Sequence, residues 1–368
     1  MRAYWLAAAL VAACIGSSAL AADWGLKEGK PDIKSAGPLA FGPDGVLLVG
    51  DTKSATIFAI DTGDTKGNPA KAEYKLDGVN DKLAALLGVP AAEVKVNDLA
   101  VNPDTGRVFL SISKGTGPNT TPAIAKIDET GKLSEVKLDK VKFAKVELPN
   151  PPADKVTGEG PRARNPRDDS ITDLAYVSGK VLVTGLSTNA APSTIREIQF
   201  PFAEADQGAS LEIYHAAHGK SEDYAAIRTF VPFNIDGKPS LLAGFVCTPL
   251  VKIDLDALKT GEKAHGTTVA ELGNMNKPLD MVAYKKDGKD YLLLTNSARG
   301  VMKISTADLG KNPGLTEPIK GGGTGGQTFE TVKALKDVAQ LDKLDDNRAV
   351  ILVQAAGSPG SLQTIPLP

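Results

Sequence analysis

Between residues 170 and 187 the chain shows a pattern that recurs along its length. The mostly apolar run Ile171-Thr172-Asp173-Leu174-Ala175-Tyr176 is followed by a turn at Ser178-Gly179-Lys180 and by the apolar, β-branched run Val181-Leu182-Val183. A glycine that tolerates positive φ between two such runs predicts a hairpin. Related first runs are centred on Pro38, Asp98, Thr229, Asp280 and Asp337, which together with Asp173 are spaced 60, 75, 56, 51 and 57 residues apart. Each is followed by an apolar second run, at 46–49, 108–110, 181–183, 241–243, 291–294 and 350–353. A third run sharing one pattern follows at 57–61, 124–128, 251–254 and 301–305, with a looser version at 195–198.

Repeats of this length suit a radially repeated four-stranded sheet, so the fold class expected is an all-β, six-bladed β-propeller. A seventh blade would need a copy without the pattern. The last copy runs out of chain after its third strand at 362–365. An N-terminal strand around residues 24–30 is therefore expected to supply the missing fourth strand and close the ring, which would leave no long unpaired edge. Insertions explain the longer spacings. Residues 80–87, with Val94 beyond, predict a short helix, and residues 150–169 predict a loop rich in Pro, Arg and Asp. The run GGGTGG at 321–326 lacks the Lys-Ser/Thr of a phosphate-binding loop and predicts a flexible connection. Arg162, Arg164 and Arg167 are interleaved with acids and lack aromatic partners, which reads as a solvated loop.

Composition adds an address and excludes some partners. The 37 glycines and 24 prolines, against 5% aromatic residues, fit a turn-rich all-β chain. Residues 1–21 read as a signal peptide, with Arg2 ahead of an apolar run and Ala19-Leu20-Ala21 at the cleavage site, leaving 22–368 as one propeller domain. The alternative, Val11-Ala12-Ala13-Cys14 as a lipobox, makes Cys14 a lipid anchor. No later segment is long and apolar enough for a transmembrane helix, so the protein is expected to be exported, periplasmic or extracellular. With Cys14 removed, Cys247 stands alone and no internal disulfide forms. A net charge of −2 with mixed signs carries no nucleic-acid footprint.

The blade element Leu39-Ala40-Phe41-Gly42-Pro43-Asp44-Gly45-Val46-Leu47-Leu48-Val49-Gly50-Asp51 resembles that of the broad group of six-bladed propellers that includes the SMP-30/gluconolactonase, strictosidine-synthase-like and NHL-repeat proteins. In the SMP-30 branch the resemblance implies an axial divalent cation held by Glu, Asn and Asp, with a carboxylate just before a Gly-Pro on the first blade. Here that place reads Ala36-Gly37-Pro38, so no family ligand carries over to it.

The register brings Asp98, Asp173, Asp280 and Asp337 from four blades toward the mouth of the central channel, with Thr229 and Pro38 in the other two positions. Carboxylates this close raise one another's pKa unless a cation or donor compensates, and Ca²⁺ or another hard divalent cation is the matching partner. The alternative is that each Asp accepts backbone amides at the start of its own strand. A second candidate region holds His215, His218, Arg228, Thr229 and Cys247, whose segments all approach one face. His215 and His218 are three apart, so on a regular strand they would point to opposite faces. Asp51, Lys53, Ser113, Lys114, Asn189, Asn296 and Arg299 are expected on the same rim, with Asn274-Met275-Asn276 close to the carboxylates, while His265 reads as a surface turn. The expected function is an exported propeller that binds a small polar ligand, a glycan or a protein on its loop face. The alternatives are a metal-dependent hydrolase or lactonase of SMP-30-like type, and a copper or redox protein using Cys247 with His215 or His218.

Overall fold

In each repeat the second strand is an unbroken apolar run, and such a run is stable only when covered on both faces. Val46–Asp51 is buried at all six positions, and the other second strands follow suit at most of theirs. The computed structural model describes residues 24–160 and 163–368. The expected signal peptide, Cys14 and Arg162 lie outside the described residues.

Among the described residues the strands form five sheets, three of four strands, one of five and one of ten, the last being two four-stranded blades joined by parallel pairing of Ser210 to Ile213 with Lys263 to Gly266, so that six antiparallel blades result. The second blade is built from Val94–Val101, Val108–Lys114, Thr121–Ile127 and Leu133–Glu135, the third from Asp173–Val177, Lys180–Leu186, Ser193–Gln199 and Ala209–His215. Ile227–Ile235, Lys238–Phe245, Pro249–Asp254 and Lys263–Glu271 make the fourth, and Pro278–Lys286, Lys289–Asn296, Gly300–Ser305 and Phe329–Thr331 the fifth. These four blades are continuous in sequence. The first and sixth are not.

The first blade consists of Leu39–Phe41, Val46–Asp51 and Thr56–Asp61, and takes its fourth strand, Val141–Glu147, from the chain beyond the second blade. The sixth consists of Val338–Lys343, Arg348–Val353 and Ser361–Pro366, and takes its fourth strand, Lys75–Asp77, from the chain just after the first blade. The expected closure by residues 24–30 is therefore corrected. Lys27–Gly29 instead adds a fifth strand to the first blade, Lys27 opposite Phe143, and Leu76 opposite Leu362 completes the sixth. Lys75-Leu76-Asp77 offers a single apolar residue, too little for a strand to be recognised from pattern.

This exchange of strands sets the order around the ring. Inner strands of the first and second blades are neighbours, as are second and sixth, sixth and fifth, fifth and fourth, fourth and third, and third and first. Blades one and two are thus laid down in the opposite sense to blades three to six. Six apolar clusters, one per junction, hold the ring. Leu47, Val49, Phe109 and Ile124 join first to second, while Leu110, Ile112, Val350 and Leu352 join second to sixth. The predicted helix forms at Val79–Leu87 between Gly78 and Gly88, both left-handed at φ 68°, and buries Val79 and Leu83 in the second-to-sixth cluster.

Two expected loops prove to be structural. Gly325–Gly326 pairs with Ala270 and Glu271 at the edge of the fourth blade, where a Cβ on Gly326 would meet the Val269 carbonyl oxygen at 2.1 Å. Arg167, expected in solvent, donates to the carbonyls of Pro152 and Lys53 and pins residues 150–169 over the first blade.

The closure generates a test. Proline at Leu76 removes a ladder donor from the strand that closes the sixth blade and is expected to cost about 1–3 kcal/mol in urea unfolding, the cost of leaving a buried partner unpaired. Glu28→Pro, in the exposed outermost strand, should cost less than ~1 kcal/mol. Equal losses from the two would contradict this closure.

Candidate binding site at the channel mouth

Inner strands run from the mouth of the channel inward, and four of the six carry an irregularity just as they enter it. The pairing register shifts between Val96 and Asp98, Ile227 and Thr229, Pro278 and Asp280, and Val338 and Gln340. A bulge adds one residue and re-aims its side chain. The extra residues at the first three bulges, Asn97, Arg228 and Leu279, line a cavity of about 490 Å³ at the channel mouth. All six blades contribute to its wall.

Immediately inside the bulges stand the carboxylates. Asp98 accepts the Leu99 N–H of its own strand (2.8 Å) and the Leu39 N–H of the first blade (2.7 Å). Asp173 accepts from Leu174 (2.8 Å) and from Phe230 of the fourth blade (2.7 Å). Asp280 accepts from Met281 and from Leu341 of the sixth blade, both at 2.8 Å. Asp342, one dipeptide deeper, accepts from Lys343 (2.7 Å) and from Val101 of the second blade (2.8 Å). One oxygen thus serves the strand that carries the Asp, and the other serves the neighbouring blade. Two junctions lack such a bridge, those where Thr229 and Pro38 occupy the bridging position.

Asp337 does not join this ring. It is exposed, has a left-handed backbone at φ 55°, and precedes the bulge, so Gln340 takes the position expected for it. The register slipped because the inner run of the sixth blade has no acidic residue at the equivalent place. Asp342, which the repeat alignment missed, supplies the carboxylate two residues on.

Enclosure by protein pushes all four acids upward. Burial raises Asp173 to about 7 and Asp342 to about 6 against the opposing effect of their amide hydrogen bonds. Asp98 and Asp280 are held well above the usual carboxylate range, first by burial and then by neighbouring carboxylates, each other's kind included. Part of each side chain still faces the lumen, so water there moderates the effect.

The rim is built by loops. Asp51, expected as a rim ligand, is fully buried and accepts from the Lys34, Ser35 and Ser54 N–H groups and the Ser35 hydroxyl, fixing the entry segment. Arg228 is held by Asp169 at 2.6 and 3.3 Å, and adjacent Asp168 reaches the cavity. Lys53 and Lys95 complete the upper wall. Asn97 commits its NH₂ group to the Ala36 carbonyl and the Ser113 hydroxyl, and Gln340 donates to the Asn97 carbonyl. Their amide oxygens remain as acceptors.

Other expected site residues lie elsewhere. Asn296 donates to Asn276 and accepts from Ala298 and Arg299, building the fifth-blade turn, and Arg299 packs against Gly273. Cys247 sits at φ 64° in the turn before Pro249, its N–H on the Asn276 carbonyl. His218 clusters with His215 and Glu222 where the outer strand of the third blade turns into Lys220–Glu222, and Cys247 is not among that group. None of these four lines the cavity.

No family model matches the chain, and no curated protein matches it. Solved structures similar to it include a streptogramin B lyase, at 11% identity and TM-score 0.39 over 94% of this chain and 100% of that one. A periplasmic gluconolactonase of Pseudomonas aeruginosa shares 11% identity at TM-score 0.32, over 90% and 87%. The PQQ-bound aldose sugar dehydrogenase of Streptomyces coelicolor shares 13% at TM-score 0.27, over 92% and 96%. The propeller assignment rests on the strand order of this chain itself.

The channel acids set a pH dependence. A carboxyl raised in the folded state contributes stability that is complete below its unfolded pKa, near 4, and is lost as pH rises through its folded value. Asp173 and Asp342 place that loss between about pH 4 and 7. His215, lowered by burial, contributes the opposite slope near its ordinary value, one group against several. Unfolding free energy is therefore expected to fall from pH 5 to pH 7.5, and Asp173→Asn should flatten that slope. An unchanged slope in urea titrations of the variant would contradict the assignment.

Proposed function

We propose that the protein binds a small, hydroxyl-rich polar ligand such as a sugar in the mouth of its central channel. The observation that supports this is the chemistry of the wall. Apart from Ala36, Pro38, Ile171 and Leu279, the side chains around this cavity are polar or charged, and cavities of this volume suit small-molecule ligands. The amide oxygens of Asn97 and Gln340 accept hydroxyl protons, and the charged rim orients the ligand without matching a single sign of charge. Export belongs to the same proposal and rests on residues 1–21. Among the described residues no helix is long and apolar enough to cross a membrane.

The axial divalent cation that the family resemblance implies would have to share these carboxylates with main-chain donors. Both oxygens of Asp98, Asp173, Asp280 and Asp342 already accept main-chain N–H groups, and the first blade offers Ala36 where a carboxylate would be needed. A hydrolase reading keeps one point in its favour. Asp173 lies on the cavity wall with its carboxyl near 7, in the range for general acid–base work.

Calorimetric titration with a panel of mono- and disaccharides at pH 7 tests the binding reading. At least one should bind, and Gln340→Leu should weaken it about tenfold, the equivalent of one hydrogen bond. A silent panel, or binding indifferent to Gln340, would overturn it. Turnover of a sugar lactone that Asp173→Asn abolishes would favour the hydrolase instead.

A further inference from the structure

The outer strand of the third blade ends at His215 and turns tightly into Lys220–Glu222. His218 N–H and Gly219 N–H both donate to the His215 carbonyl, at 3.0 and 2.8 Å. That helix-like turn brings residues 215 and 218 to one side, where an extended strand would have set them on opposite faces. Their imidazole centroids are 3.9 Å apart. Glu222 reaches both rings. His215 Nδ1 lies 2.9 Å from one carboxylate oxygen and His218 Nδ1 lies 2.7 Å from the other.

Here three ligand types converge in a built setting. His215 and Glu222 are buried, whereas the His218 side chain is 44% exposed and opens the cluster to solvent. The Tyr224 hydroxyl donates to Glu222 at 2.8 Å, and Lys220 Nζ stands 3.7 Å from it. Two buried polar atoms near this turn have no partner. One is His215 Nε2, the other the Oε1 of Glu271. Glu271 is fully buried, and its Oε2 accepts the N–H of Ala217, inside the same turn.

We propose that His215 Nδ1, His218 Nδ1 and the Glu222 carboxylate bind one divalent ion of the zinc and copper group, with solvent reaching the ion past His218. The donor set is two nitrogens and one oxygen with an open fourth position, which suits borderline metals and not calcium. Tautomer logic ties the orphaned His215 nitrogen to this site. With Nδ1–H bonded to Glu222, the His215 Nε2 is a lone pair that no donor reaches. When a metal takes Nδ1, the ring proton moves to Nε2. The site lies outside the central cavity and is independent of the ligand proposed there.

The test uses the untagged chain, stripped with EDTA and titrated with Zn²⁺ by calorimetry. One Zn²⁺ per chain should bind with a Kd of about 1 µM or tighter, while Ca²⁺ gives no heat of binding. His218→Ala, at a half-exposed position where folding should survive, is expected to weaken Zn²⁺ binding more than about 10-fold. Nitrogen-15 spectra of the histidine rings should show His215 changing from the Nδ1–H to the Nε2–H tautomer on metal addition. Absence of a stoichiometric Zn²⁺ site, or a Kd unchanged in a folded His218→Ala, would overturn the proposal. Retention of the Nδ1–H tautomer with metal bound would overturn the assigned ligand atoms.

Discussion

The innermost strand of every propeller blade is an edge: one side pairs with the second strand, and the other has no strand to receive its N–H groups. Buried main-chain donors must nonetheless be satisfied. In this chain the solution is a carboxylate from the neighbouring blade. Asp98, Asp173, Asp280 and Asp342 each take one amide from their own strand and one from the next. Four largely enclosed acids are costly to keep ionised, and that enclosure is what raises their pKa values. Three of these bridging acids, Asp98, Asp173 and Asp280, also line the cavity, so stability of the ring and shape of the site share residues.

Ring order gives those bridges their importance. Because the first two blades run against the sense of the other four, the junction between the second and sixth blades has to be made by segments far apart in sequence. The Asp342 carboxylate spans 241 residues to Val101, and Tyr74 exchanges hydrogen bonds with Thr364 across 290. Such contacts carry the largest loop-closure entropy and form late. Lys75–Asp77 passing into the sixth blade and Val141–Glu147 returning to the first distribute the closure over two places.

How far the sequence was readable follows from what each element depends on. Second strands were plain because burial on both faces demands continuous apolar runs, as at Val46–Asp51 and Leu292 to Leu294. Asp98, Asp173 and Asp280 were found by register, since the repeat preserves it. Asp342 was missed because the sixth repeat shifts its acid by one dipeptide. Bulges at Asn97, Arg228 and Leu279 left no signature, as one inserted residue does not disturb an apolar count, yet they decide which side chains enter the cavity. The closing strand Lys75–Asp77 was hidden by its length, and the His215–Glu222 cluster by a turn that overrides strand alternation. In each miss, tertiary pairing outweighed a local pattern too short to register.

Amide exchange addresses the bridging carboxylates directly. In the native protein the N–H groups of Leu39, Val101, Phe230 and Leu341 should exchange as slowly as those of the buried second strands, although no strand faces them across the channel. Replacing Asp342 by Ala should release Val101 selectively, leaving Leu39, Phe230 and Leu341 protected. Fast exchange at these four amides in the native chain, or a Val101 amide that stays protected without Asp342, would contradict the account.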